Sequence, residues 1–279
     1  MGELSLEIWR SDGVTPFVRE PQGVIERGTL ANYSFTLCGN ELFWLDQHAQ
    51  IVKMGVESRT PVVLSEPLTS YFFPKVLSVL EGDYLIVQGK HFYILNSHFH
   101  ELTIAYDIDR NTWYEWSWWN STTSTYKAWE GRSIANSGTW GNAYTGHRDN
   151  GKVYKLDPRI YFDGTDTIRT MLRTPILDHG TSSIRKTSHK MIFEIRQDDI
   201  STTQGDDIPT LSVRFRDNGS TTWQTARTVT LGAVGNETFY RGSLWRNGSF
   251  YNRQYEIVNA SDLALTIVRV IDVVEFCLS

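Results

Sequence analysis

At 279 residues, with a formal charge of −5 and a pI near 5.8, the chain suits one large β architecture or two modest domains. It has no global basic field to draw in nucleic acid, although Arg185, Lys186 and Lys190 cluster, as do Arg214 and Arg216. The opening Met1-Gly2-Glu3-Leu4-Ser5-Leu6-Glu7 shows no signal-peptide pattern, and no run approaches the roughly 18 apolar residues that span a bilayer.

Ten Trp, thirteen Tyr and thirteen Phe are many for an acidic chain. They fall in short segments bounded by Gly, Asn and Asp, which is the pattern of strands and turns. In chain order, residues 33–37 pair with 42–45 across Cys38-Gly39-Asn40-Glu41. Residues 66–73 give the only helical signal, with Pro67 at the first helical position and Pro74 as the stop. Next, 84–87 pair with 91–95 across Gln88-Gly89-Lys90, 102–106 with 113–116 across an Asp-rich turn, and 141–146 with 152–156. These hairpins recur at intervals that suit a four-stranded repeat. The expectation is an all-β fold, β-propeller-like, complete or incomplete, over residues 1–177, with an irregular sandwich as the alternative.

A second region, 178–279, opens at Asp178-His179-Gly180 and reads as a C-terminal β-domain or as the closing sheet of the first. Strands are expected at 190–195, 211–216, 225–231, 255–258 and 263–276, with a polar loop at 201–207. The last strand is long and apolar on both faces, so it is expected to be central. Asn218-Gly219 and Asn247-Gly248 are tight-turn pairs.

Chemistry-bearing motifs are weak. Asp107-Ile108-Asp109-Arg110-Asn111 starts like a calcium loop but lacks its glycine and terminal acid, and reads as a β-turn. His98-Phe99-His100 would put two imidazoles on one face of an extended strand, with no third ligand nearby; a polar strand end is the plainer reading. Asp217-Asn218-Gly219-Ser220-Thr221-Thr222-Trp223 resembles the Asp-box turn of sialidase propellers with one extra residue, and that turn is structural. Neither an arginine triad nor a Tyr–Glu nucleophile pair can be assigned. Gly89-Lys90-His91 lacks phosphate-loop spacing, and no Gly-x-Ser-x-Gly elbow occurs. Six Asn-x-Ser/Thr sequons start at Asn32, Asn120, Asn218, Asn236, Asn247 and Asn259, and read as turn-rich composition. Cys38 and Cys277 make no disulfide framework; two buried free thiols are expected, with a Cys38–Cys277 bridge as the alternative. No catalytic, cofactor or metal residues are assigned, and the chain reads as a non-enzyme. Trp223, Arg241, Trp245 and Arg246 are the candidate interface residues, because Trp and Arg tend to anchor subunit contacts; Trp223 could equally be a core residue.

Several segments together resemble a family. They are Phe17-Val18-Arg19-Glu20-Pro21-Gln22-Gly23, Glu26-Arg27-Gly28-Thr29-Leu30-Ala31-Asn32-Tyr33-Ser34 and Leu42-Phe43-Trp44-Leu45, followed by Tyr106-Asp107 with Trp113-Tyr114-Glu115-Trp116. Lys152-Val153-Tyr154-Lys155-Leu156-Asp157-Pro158 and the series Trp223, Leu231-Gly232, Arg241, Trp245-Arg246 and Ser261-Asp262 complete the pattern. With these the chain resembles the packaged-DNA-stabilisation, or tail-hub, proteins of short-tailed bacteriophages. The family's closing segment commonly has paired glycines before its Trp, where Ser220-Thr221-Thr222 stand here. The resemblance implies a structural virion protein, made in the bacterial cytoplasm and built into the phage tail as a ring of six. Its partners would be the portal and adaptor, the needle and tailspike, and packaged DNA in the channel, with no membrane and no catalytic residues. A carbohydrate- or receptor-binding tail protein is the alternative, and a propeller glycoside hydrolase a third reading.

Overall fold

Gln88 and Gly89 both take positive φ, 49° and 70°, which is the two-residue hairpin turn that matches strand twist. Other short turns, several with one residue at positive φ, join the antiparallel strands that follow. The computed structural model describes residues 2–11, 13–14, 16–65, 68, 72, 76–138, 141–163, 166–197, 210–231, 239–261 and 265–277. The helix expected at 66–73 lies outside the described residues except for Leu68 and Phe72, and the polar loop at 201–207 lies wholly outside them. What is described is nearly all-β, in several antiparallel sheets.

The chain divides into Met1–Pro158 and Arg159–Ser279. Residues 159–177, grouped with the first region on sequence, fall with the second because a strand at 170–173 pairs there.

In the first unit, β1 (Leu6–Arg10) and β2 (Val18–Ile25) form a hairpin. A four-stranded meander follows in β3 (Thr36–Cys38), β4 (Glu41–Leu45), β5 (Ile51–Gly55) and β6 (Val62–Val63). A short 3-10 turn at Leu77–Val79 leads into a second meander, β7 (Glu81–Val87), β8 (Lys90–Ser97), β9 (Leu102–Asp107) and β10 (Thr112–Glu115). After the hairpin β11 (Ser117–Asn120) and β12 (Thr125–Ala128) comes a three-stranded meander, β13 (Gly131–Ser137), β14 (Asn142–His147) and β15 (Val153–Leu156). The four hairpins read from sequence all form, for example with Tyr106 opposite Trp113 and Gly146 opposite Val153.

Successive sheets pack face to face. Trp44, Val52 and Met54 meet Leu6, Ile8 and Ile25 of the first hairpin. On the other face Phe43, Leu45 and Ile51 meet Tyr93, Leu95 and Ile104, with Phe43 stacked on Tyr93 at 5.2 Å. Leu85, Phe92 and Ile94 then meet Ala143, Ile134 and Leu156, with Trp116 and Trp129 filling in. Covered on both faces, β8 and β9 read as continuous apolar runs, not as alternating ones. Two devices fix the spacing. Gly82 donates to Tyr33 O at 2.7 Å, and a Cβ there would lie 2.2 Å from Ser34 O, so only glycine fits. The Asn136 amide donates to Tyr84 O at 2.7 Å and accepts from Ile86 N at 2.8 Å. It thereby satisfies two backbone groups on the outer edge of β7.

The second unit opens with a short hairpin, β16 (Phe162–Asp163) and β17 (Asp166–Thr167). Two sheets follow, built from β18 (Thr170–Arg173), β19 (Lys186–Gln197), β20 (Thr210–Asp217), β21 (Arg227–Thr230), β22 (Phe239–Trp245), β23 (Ser249–Phe250), β24 (Arg253–Asn259) and β25 (Leu265–Phe276). One sheet runs β18-β24-β20-β21; in the other, β19 pairs with β22, β23 and β25. Met191, Phe193 and Ile195 of β19 pack on Leu211, Val213, Tyr255 and Ile257, so this unit is a sandwich around one apolar core.

Three sequence expectations are corrected. β25 is not central: among the described residues it pairs with β19 alone, and Val268, Val270, Val273 and Phe276 stay exposed. Cys38 is buried but Cys277 is exposed, and both are free thiols. Lys186 belongs to no surface cluster; it is fully buried, with Nζ donating to Tyr251 O at 2.7 Å and to Thr181 O.

Candidate interface

The period-2 alternation of β19 turns Lys190, Ile192 and Glu194 away from the core. Opposite them on β22 stand Trp245, Ser243 and Arg241, and on β25 Val273, Ile271 and Arg269. This outer face thus carries an apolar patch edged by cations. Lys190 Nζ sits 4.3 Å from the centre of the Trp245 ring, which is 57% exposed. Glu194, buried between the flanking strands, accepts from Arg241 at 2.6 Å and from Arg269 at 2.8 Å. The Arg241 hydrogen bond, then the Arg269 charge, hold its carboxyl below the usual range, against the opposing effect of burial. Two arginines therefore share one carboxylate, and Arg241 and Arg269 both remain well exposed.

Trp223 lies over the other sheet. Its ring is approached by the guanidinium groups of Arg173, Arg214 and Arg216 at 5.3, 5.2 and 4.8 Å. Glu256, 2% exposed, accepts from Arg173 at 2.6 Å and from Arg214 at 2.5 Å, while Arg216 donates to Gln254 at 2.7 Å. Burial alone would raise the Glu256 carboxyl, but the hydrogen bonds from Arg214 and Arg173 outweigh it and hold it low. Trp223 is only partly buried.

Arg246 occupies neither face. It takes φ of 58° in the turn after β22, with Gly248 at 76°, and lines an open cleft of about 420 Å³ with Arg227, Gln224, Thr225 and Arg253. Arg227 donates to Trp245 O at 2.6 Å and to Asn247 Oδ1 at 2.8 Å. The four candidates thus divide between two faces and a turn; only Arg241 and Trp245 share a surface.

Sequence reasoning missed Arg253. Its side chain is 1% exposed, held by Asp217 through bonds of 2.6 and 2.9 Å, and sandwiched between the rings of Phe215 at 3.8 Å and Phe250 at 4.0 Å. The available signal was alternation, which puts Arg253 on the same face as Tyr255 and Ile257.

The remaining motifs resolve as turns. Asp107 Oδ1 accepts from the backbone N–H groups of Asp109 and Arg110 at 3.1 and 3.0 Å, and Asn111 takes positive φ. His98 and His100 do not share an extended strand, since β8 ends at Ser97. Arg148 donates to His98 Nδ1 at 3.0 Å, whereas His100 Nε2 lies 3.0 Å from Val76 N. Burial, then the Arg148 charge, push the His98 imidazole down. Asn218 and Gly219 make the tight turn after β20, both at positive φ. Gly232 and Asp262 lie outside the described residues.

Among the described residues no group of three His, Cys, Asp or Glu is arranged to hold a metal ion. Nor is any helix among them long and apolar enough to cross a membrane. No family model matches the chain, and no curated protein matches it.

Proposed function

We propose that this chain is a structural protein of a short-tailed phage tail, a hub or nozzle part that acts by assembly and not by catalysis. The observation that carries the reading is the outer face of β22, β19 and β25. Exposed Trp245 lies beside Ile192, Ile271 and Val273 there, with Arg241 and Arg269 at the margin, and these residue types anchor protein interfaces. The first unit supports it as an open run of propeller-like blades, since each meander packs face to face on the next. In the resembling family, six copies stand round the tail axis below the portal and its adaptor, prolonging the channel and retaining packaged DNA. An acidic chain suits that task, because many phosphate contacts would create a salt-dependent grip on DNA that must slide.

The test is to mix purified chain with portal–adaptor rings and image them by electron microscopy. Added density on the adaptor's distal side, lost in a Trp245→Ala/Arg241→Ala variant, is the expected result. Rings that remain bare at every concentration, together with turnover of a fluorogenic sialoside, would sink the reading. Exposed Phe17, Tyr33 and Phe99, each above 70%, favour glycan or receptor binding as the second reading. Saturable binding to host glycans with no binding to portal rings would put it first.

A further inference from the structure

The free edge of β25 is the most unusual surface of the second unit. Twelve residues long, it pairs on one side with β19 and, among the described residues, with no strand on the other. An unpaired edge presents a row of backbone donors and acceptors with which another extended strand can pair. Chains usually blunt such edges with proline, charges, bulges or very short strands, and β25 has three charges, Arg269, Asp272 and Glu275, and register shifts against β19. β25 has no proline or lysine, and it leaves Val268, Val270, Val273 and Phe276 exposed by 52, 38, 45 and 40%. Its own sequence indicates the occupant.

We infer that β25 pairs antiparallel with β25 of a second copy about a two-fold axis at Asp272. In that register Arg269 stands opposite Glu275 twice, Ile271 opposite Val273 and Val270 opposite Val274. Val268 stands opposite Phe276, so every apolar residue of the nine-residue overlap 268–276 meets an apolar residue, and Arg269 meets Glu275 across the strands. The faces also agree. Arg269, Ile271 and Val273 lie on the outer side, opposite Glu194, Ile192 and Lys190, while Val270 and Asp272 lie on the core side, opposite Phe193 and Met191. An axis perpendicular to the sheet preserves those sides, so the sheets of both copies join into one. Neighbouring registers lose the match. With the axis at Ile271, Arg269 meets Val273 and Asp272 meets Val270; with it at Val273, Glu275 meets Ile271 and Asp272 meets Val274.

The cost falls on Asp272, which meets its own copy. Each carboxylate is already held toward its own core, Oδ2 accepting from Tyr255 OH at 2.7 Å and Oδ1 from Ser188. Those donors offset part of the repulsion. Arg269 and Glu275 have side chains 65 and 71% exposed, so both can take a partner in trans beside Glu194 and His189.

The pair is a state of the free chain and does not rest on the tail reading. A ring whose copies all point one way contains no such two-fold axis, so the edges would have to separate before a ring of that kind formed. Failure of the pairing leaves the portal-binding test untouched.

Sedimentation velocity of the full chain from about 1 to about 100 µM should show a reversible monomer–dimer equilibrium. Glu275→Arg, which sets Arg against Arg at two places, should raise the dissociation constant about tenfold or more with unchanged circular dichroism. In a Cys277→Ser background, oxidation of a mixture of Ile271→Cys and Val273→Cys proteins should cross-link faster than either protein alone. A chain that stays monomeric throughout overturns the proposal. So does a dimer indifferent to Glu275→Arg whose mixed cysteine variants cross-link no faster than the single ones, since it must use another surface.

Discussion

Replacing Asp217 with alanine would strand a guanidinium inside the second unit. Arg253 is 1% exposed, and among the described residues Asp217 supplies the only carboxylate bonded to it, at 2.6 and 2.9 Å. The rings of Phe215 and Phe250 lie against the guanidinium, at 3.8 and 4.0 Å. Removing one partner of a buried pair typically costs about 3–5 kcal/mol, because the other charge is left uncompensated. Replacing Arg253 with methionine removes that charge while keeping most of the volume. Asp217, about a fifth exposed, can then rehydrate, so the cost should stay near 1–2 kcal/mol. With a urea slope of about 1.5 kcal/mol/M, a loss of 3 kcal/mol lowers the midpoint by about 2 M. Eight of the ten tryptophans belong to the first unit, so fluorescence would report mainly on the wrong half. Hydrogen exchange in peptides covering β20 and β24, measured across urea concentrations, reads the right one. A midpoint shift under about 0.5 M for Asp217→Ala, or a loss from Arg253→Met as large as from Asp217→Ala, would refute this account of the buried pair.

The carboxyl of Glu256 is held low by Arg214 and Arg173 against burial, so its contribution is fully present above the ordinary glutamate range and is lost as pH falls through the depressed value. The melting temperature of the second unit should therefore be flat from neutral pH to about 5 and then drop. Glu256→Gln should lower the plateau and flatten part of that acid limb; an unchanged acid limb would contradict the assignment. Burial, then the Glu41 charge, push the Cys38 thiol far up, while Cys277 is exposed. Ellman's reagent at pH 8 should thus titrate one thiol per native chain and two after denaturation, and rapid reaction of both in the native protein would show the Cys38 site to be open.

Local chemistry explains why the hairpins were legible and the charges were not. Two residues at Gln88-Gly89, or an Asp that bonds its own following N–H groups at Asp107, specify a turn within a few positions of sequence. The strands flanking such turns follow almost automatically. Arg253 and Lys186 gave no comparable signal, since a cation in a strand reads as solvent-facing until its distant partners are known. Those partners are Asp217 for Arg253, and the carbonyls of Tyr251 and Thr181 for Lys186. The same limit applies to the interface candidates. Arg241 and Trp245 alternate on one strand and share a face, whereas Trp223 is carried to the other sheet by a loop.

The misreading of β25 is the more instructive case. Residues 265–276 carry apolar side chains on both faces, a pattern that ordinarily means cover on both sides. The expectation of a central strand assumed that the cover comes from the same chain. Here the core side is met by Phe193 and Met191, while Ile271 and Val273 share the outer side with Trp245 and Arg241, and among the described residues the free edge has no strand beside it. Exposed apolar surface this contiguous on a strand edge invites association. The apolar pattern therefore did not distinguish a strand covered on both faces from an edge strand that leaves Val268, Val270, Val273 and Phe276 exposed. In the proposed pairing, a second strand across the β25 edge would place it inside a sheet only at the level of an assembly.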